Sequence, residues 1–261
     1  MNAVTDRASY VLAGNAGPMT LEGTNTWLLR EPTSSQVVVV DPGPDDEAHV
    51  HAVQQAAEQS ERRVALILLT HAHPDHAGGA RKLADAVHAP LRALDPKQRL
   101  GDEGLTGGDV VRVDGLEVRV VSTPGHSSDS VCFHLPADDA LLSGDTILGR
   151  GTTVVAHPDG RLADYLASLD RLRAVADSAG ASTLLPGHGP VQRDLVGVID
   201  FYIAHRAERL AEIEAAIAAG LRTPREIVER VYADVDRAVW PAAELSVRAQ
   251  LDYLRERGAV Q

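Results

Sequence analysis

The chain is poor in the residues that staple or anchor small proteins, having one cysteine, Cys132, and an aromatic share of 3%. A single thiol excludes an internal disulfide and fits a reducing compartment. Lying inside the apolar stretch Val131 to Leu135, Cys132 reads as packing rather than as a nucleophile. Apolar runs such as Val37 to Val40 and Val64 to Leu69 fall far short of the roughly 20 residues that cross a bilayer, so no membrane partner is expected. Met1 to Leu12 has neither a basic start nor a continuous apolar stretch and carries Asp6 early. It does not read as an export signal, and a cytoplasmic protein is expected. Positive charge is also scarce, since 25 Lys plus Arg against 37 Asp plus Glu leave a net charge of −12. That field repels a phosphate backbone over most of the surface, which excludes extended duplex DNA but admits a short basic path.

What remains is ordinary globular composition, 44% hydrophobic over 261 residues, enough for one large domain with a small appendage. Short apolar runs (Thr24 to Arg30, Val37 to Val40, Val64 to Leu69, Glu117 to Ser122, Ser130 to Leu135, Ala140 to Leu142, Thr183 to Leu185) alternate with helical patterns at about Asp46 to Gln59, His76 to Val87, Ala163 to Ala179 and Leu195 to Ala219. This is a mixed α/β pattern. Val37 to Val40 and Val64 to Leu69 are apolar at every position, the mark of strands covered on both faces. Past Gly220 a capping box, Thr223-Pro224-Arg225-Glu226, opens a new helix. A further helical pattern with Leu245, Val247, Leu251 and Leu254 stops at Gly258. We expect two domains, residues 1–192 and a helical appendage over residues 193–261.

The chemistry concentrates in Thr70-His71-Ala72-His73-Pro74-Asp75-His76, directly after a buried-type strand. Four potential ligands within six residues arise by chance on the order of once in several hundred sequences of this composition. Imidazole and carboxylate are ligands zinc takes, and so dense a loop of them is costly if it closes on nothing. His71 and His73 project to the same side of an extended strand end, while Asp75 and His76 sit where the chain turns into a helix, so one loop can serve two adjacent metals. Thr123-Pro124-Gly125-His126, Ser143-Gly144-Asp145-Thr146 and Pro186-Gly187-His188-Gly189 each follow an apolar run. Strand ends of this kind converge on one crevice.

This set resembles the metallo-β-lactamase superfamily, in which His-x-His-x-Asp-His is followed by a further His, Asp and His. The resemblance implies an αββα sandwich. It also implies two zinc ions, one on His71, His73 and His126, the other on Asp75, His76 and His188, with Asp145 bridging. Thr20 to Trp27, Ser143 to Gly149, Tyr165 to Leu169 and His205-Arg206 are similar to the lactamase-beta-like endoribonuclease branch, which ends in a winged-helix-like domain. One departure is Ser127-Ser128-Asp129-Ser130 after His126, where relatives often carry Thr first and a further His last. On this ligand set two Zn²⁺ contribute +4 against −3 from Asp75, Asp145 and a bridging hydroxide, leaving about +1 to stabilise an oxyanion. Hydrolysis by a metal-activated water follows, with Asp75 orienting it or taking its proton.

The leading expectation is a dinuclear-zinc hydrolase of a small ester, thioester, lactone or phosphodiester, possible substrates including short single-stranded RNA. Glyoxalase II shares all seven ligands, but the tail here carries arginines and no lysine. Promiscuous β-lactam cleavage is a further alternative. A nucleic-acid-binding scaffold with structural metals is the alternative of another class. Seven ligands with one shared leave open coordination positions, which favours catalysis over structure. Of the other histidines, His49, His51, His88, His134 and His157 read as structural. His205 and Arg206 read as a basic pair on a helix near the last ligand, which either touches an anionic substrate or packs and pairs with acids. Asp41, in Val40-Asp41-Pro42-Gly43, forms a turn or holds a ligating histidine. Asp102-Glu103 and Asp138-Asp139 read as solvated loop charges.

Overall fold

Val37 to Val40 is apolar throughout because it has no solvent side. In the computed structural model, which describes residues 2–259, Val37 and Val39 pack outward against helices while Val38 and Val40 pack inward against a second sheet. The first sheet has six strands in chain order: β1 (Asn2–Ala3), β2 (Ala8–Leu12), β3 (Asn25–Leu29), β4 (Gln36–Val40), β5 (Arg63–Leu68) and β6 (Leu91–Arg92). Pairing is antiparallel as far as β4 and parallel across β4, β5 and β6. The second sheet has β7 (Val110–Val113), β8 (Leu116–Ser122), β9 (Val131–Leu135), β10 (Ala140–Gly144) and β11 (Thr183–Pro186). Its order is 11-10-9-8-7, with only β10 and β11 parallel among them.

The sheets face each other across Leu29, Val38, Leu68, Val118, Phe133 and Leu142. On the outer face of the first sheet lie α1 (Glu47–Ala57) and α3 (Ala80–Val87), contributing Val50, Val53 and Leu83. On the outer face of the second lie α4 (Leu162–Ala179) and the first half of α5 (Leu195–Ala218), contributing Leu169, Leu172 and Ile199. This is the expected αββα sandwich. Aspartates start two of these helices: the Asp46 carboxylate accepts from the backbone N–H of Ala48 and His49, and that of Asp194 from Gly197.

The expected helix from His76 to Val87 is two helices, α2 (Pro74–Ala77) and α3, separated at Gly78-Gly79. A side chain at Gly78 would collide with the backbone at Pro74 and Asp45, so close approach to the neighbouring loop replaces helical continuity there. The strands missed by the sequence reading, β1, β2, β6 and β7, are edge strands, two-residue strands or partly exposed. Asp138 also departs from expectation, because its carboxylate is enclosed, receiving the Thr5 hydroxyl and an ion pair from Arg7 at 2.8 Å.

The tail consists of the second half of α5, α6 (Pro224–Val231) and α7 (Trp240–Glu256). Thr223 and Glu226 form the reciprocal capping box, and Gly258 adopts the left-handed conformation just past α7. Ile213 and Ala216 of α5 pack with Ile227, Val228, Val247 and Leu251, whereas Leu195, Ile199 and Tyr202 belong to the α4 core. The expected break after residue 192 therefore falls at the start of a helix that serves both cores. Among the described residues no helix is long and apolar enough to cross a membrane. Truncating Phe133, fully enclosed between the sheets, should cost about 3–5 kcal/mol. Phe133→Ala is expected to lower the urea midpoint accordingly, and an unchanged midpoint would contradict this account of the core.

Candidate metal centre

The groups singled out in the sequence sit just past the carboxyl ends of β5, β8, β10 and β11, all on one edge of the sandwich. Their ligating atoms form two clusters, His71, His73 and His126 in one and Asp75, His76, Asp145 and His188 in the other, each with all atoms within 4.8 Å. In the first, the Nε2 atoms of His71 and His126 lie 3.1 and 3.0 Å from Nδ1 of His73. In the second, His188 Nε2 lies 3.1 Å from Asp75 and 3.2 Å from His76 Nε2, with Asp145 at 3.3 to 3.4 Å from both imidazoles. Asp145 also stands 3.8 Å from His126, which joins the clusters. Gly187 permits this closeness, since a methyl group there would fall on the Asp145 carboxylate and the His76 ring.

The opposite ring nitrogens are held by the surrounding chain. His126 Nδ1 donates to the Val154 carbonyl at 2.7 Å and His188 Nδ1 to that of Gly23 at 3.1 Å. Asp41, at the end of β4, accepts from His76 Nδ1 at 2.9 Å and from the Thr70 hydroxyl at 2.7 Å. The Thr70 oxygen then accepts from His71 Nδ1 at 3.0 Å. Asp41 thus orients two histidines at once, from a backbone position with a positive φ. With these protons directed outward, bare lone pairs of His71 and His126 both face His73 Nδ1, which can carry a single proton. One Asp145 oxygen is likewise buried without a hydrogen bond. Ligand atoms about 2.0–2.1 Å from one cation at tetrahedral angles lie about 3.3 Å apart, close to the spacings here. The donor set fits two divalent metals.

The remaining expectations resolve simply. His49 is a packed residue whose ring bonds the Thr26 hydroxyl at 2.9 Å. The Ser127 hydroxyl donates to Asp129 and lies 2.7 Å from that of Ser130, and Ser128 N donates to Asp159, giving the segment after His126 its own local network. Cys132 is buried, with its thiol pushed up to about 11 by burial. Arg206 is buried beside the site, packed as one of its two expected readings had it but, among the described residues, with no acid paired to it.

Comparison with known proteins agrees with this geometry. Residues 19–188 match the metallo-beta-lactamase superfamily and residues 223–261 the beta-lactamase associated winged helix domain. The chain belongs to the metallo-beta-lactamase superfamily. A beta-lactamase-like protein 2 homolog of Caenorhabditis elegans is 34% identical, covering 99% of this chain and 87% of the relative. An atrochrysone carboxyl ACP thioesterase of Aspergillus fumigatus is 31% identical, over 89% of this chain and 75% of its own length. Among solved structures, a beta-lactamase domain protein from Burkholderia ambifaria superposes with a TM-score of 0.82 at 26% identity, covering 98% of this chain and 88% of that one. The superfamily comprises hydrolases, so the chain is placed among metallo-hydrolases.

Without a cation, the acids govern the charge state of the second cluster. Burial works against charge on His188, but Asp145 and Asp75 outweigh it and push the imidazole up to about 9. Burial likewise opposes charge on His76, yet Asp145 and Asp41 hold it well above the ordinary histidine range. His71 lies well below that range through burial and the neighbouring His76 and His126. A divalent cation must therefore displace protons from His76 and His188 at neutral pH. Affinity should rise as pH increases from about 6.5 towards 9, in chelator-competition titrations; affinity that falls over this range would refute the assignment. Asp41→Asn, which removes the charge orienting His71 and His76, should weaken metal binding by about 10- to 100-fold in the same titration.

Proposed function

We propose that this protein is a dinuclear metal-dependent hydrolase of a thioester bearing a largely apolar acyl group. Its metals, for which imidazole and carboxylate donors favour zinc, would be held by His71, His73 and His126 and by Asp75, His76 and His188, with Asp145 between them. The observation that carries the reading is a cleft of about 350 Å³ opening onto His126 and Asp145. Met19, Leu21 and Leu148 of the hydrolase domain line it on one side, Val235, Val239 and Ala243 of the tail on the other. A cleft whose apolar side chains are interspersed with polar groups and which opens onto the candidate centre suits a small organic acyl group. The relative named as a thioesterase supports the same bond type.

When bound, the cations supply Lewis acidity, polarising a carbonyl and lowering the pKa of adjacent water. Thioester hydrolysis adds the elements of water across the acyl–sulfur bond, yielding a carboxylic acid and a thiol. A proton must leave the water and reach the departing sulfur. Asp75 suits that transfer, its side chain being 29% exposed while those of Asp145 and Asp41 are 11% and 2%. Its carboxyl is held below the ordinary range, His188 and His76 overcoming the effect of burial. It therefore starts ionised and ready to accept.

The groove on the far side of His73 is lined by Ser127, Ser128, Asp95, Asp129 and Asp159. Three carboxylates there repel a polyanionic strand, which favours a small acyl substrate over RNA. The test is a panel of aromatic and aliphatic N-acetylcysteamine thioesters, with a phosphodiester for comparison, before and after chelation. Thioester turnover lost with chelator and restored by zinc is expected; cleavage of the phosphodiester alone would refute the proposal. Asp75→Asn, with metal content verified, should lower kcat by about 100-fold or more. A near-normal kcat would remove Asp75 from proton transfer.

A further inference from the structure

The least exposed charged group lining the cleft is Arg206, near the middle of α5 and only 5% exposed. One guanidinium nitrogen, Nη2, donates to the Thr153 carbonyl at 2.6 Å, and Cζ lies 5.0 Å from the centre of the Tyr165 ring. Its Nε is buried without a hydrogen-bond partner. The other arginines of the cleft are neutralised in place, Arg150 by Glu22 and Arg209 by Glu212. Among the described residues no acidic side chain forms an ion pair with Arg206. An unpaired buried cation is strongly unfavourable, and a carbonyl and a ring face compensate it only in part. Its field is felt nearby, because His205 is lowered by burial and then by Arg206 and Arg209.

We propose that Arg206 is the seat for a single negative charge on the substrate, so that the acyl group cleaved at the neighbouring centre is itself an acid, an apolar body carrying a carboxylate or an equivalent ionised oxygen. The inference rests on the thioesterase reading for the reaction, but not for the anion seat itself. Guanidinium matches an oxyanion by paired, charge-assisted hydrogen bonds and keeps its charge at every working pH. Its other arginines are occupied, and the remaining polar side chains of the cleft, Thr152, Thr153, His205, Tyr232 and Ser246, carry no fixed positive charge, which limits recognition to one charge rather than a polyphosphate. The same short segment fixes seat and centre relative to each other. Thr153 supplies the carbonyl that holds Arg206, its hydroxyl is 3.2 Å from His126 Nδ1, and Val154 supplies the carbonyl that orients His126. Distance between the anionic group and the scissile carbonyl is therefore a built-in selection for acyl length.

Two measurements on the metal-loaded full chain test this. The first compares kcat/KM for N-acetylcysteamine thioesters of 6-carboxy-2-naphthoic and 6-methyl-2-naphthoic acid. The wild type should favour the carboxy compound by about tenfold to a hundredfold, the range expected of one charge-assisted contact. Arg206→Gln should bring the ratio close to one, and Arg206→Lys should retain part of it. The second is calorimetric binding of naphthalene-2-sulfonate, a poor metal ligand, against the uncharged methyl 2-naphthyl sulfone. The sulfonate should bind at least tenfold more tightly to the wild type. Equal kcat/KM for the two thioesters, or a preference that survives Arg206→Gln, overturns the proposal. Should Arg206→Gln not fold, equal binding of sulfonate and sulfone by the wild type overturns it instead. Sulfonate preference without hydrolysis of any thioester would uphold the seat and refute the thioesterase reading, so the two can fail separately.

Discussion

Lone pairs and carboxylates converging to about 3 Å repel one another unless a positive charge stands between them, and the candidate centre is organised around that constraint. Each outward nitrogen of His71, His76, His126 and His188 is committed to a protein acceptor. The inward atoms are thereby left as acceptors facing acceptors. A chain gains nothing in stability from such an arrangement by itself. Protons taken up by His76 and His188 relieve part of the repulsion, and divalent cations would relieve more. The raised proton affinity of those imidazoles and the geometry suited to metal are thus two consequences of one arrangement.

Holding it requires a rigid support that does not depend on the site. Three of the ligand loops leave β5, β10 and β11, whose ends are enclosed between the inter-sheet core and an outer helical layer and are fixed by apolar packing on both faces. Asp41 extends that support into the polar region, since one carboxylate fixes the Thr70 backbone, the Thr70 hydroxyl and His76 together. Glycine at position 187 completes it by letting the loop after β11 touch the Asp145 carboxylate. Precision at the centre therefore derives from burial in the sandwich, and loss of packing beneath the loops would loosen every ligand at once.

Much of this was legible in the chain because continuous apolar runs and dense ligand loops are local signals. Val37 to Val40 could only be a strand covered twice, and His71 to His76 announced itself by composition. The edge strands were not legible, since β7 alternates exposed and enclosed residues over four positions and reads as loop. The break at Gly78-Gly79 was hidden for another reason: glycine lowers helix propensity, but what ends α2 is an approach from the loop at Pro44 and Asp45, remote in sequence. Asp41 and Arg206 show the same limit in polar residues. For both, the chain alone left two readings open, a turn or a histidine partner for Asp41 and packing or substrate contact for Arg206, and only tertiary packing makes one an orienting carboxylate and the other a buried cation.

The tail gains its meaning from that packing rather than from its fold name. A winged-helix fold does not by itself assign a function. Here Arg225 is paired with Glu229 and Glu244, and Arg255 with Asp252, so these cations are offset within the tail's own surface. Its apolar side chains Val235, Val239 and Ala243 instead form the wall of the cleft opposite Leu148 and Asp145. Because α5 contributes Tyr202 to the hydrolase core, Arg206 to the cleft and Ile213 to the tail core, the three are fixed on one rigid rod. The distance from the candidate metal centre to the far wall is then set by helix geometry, which makes the tail the element that fixes the width of the cleft.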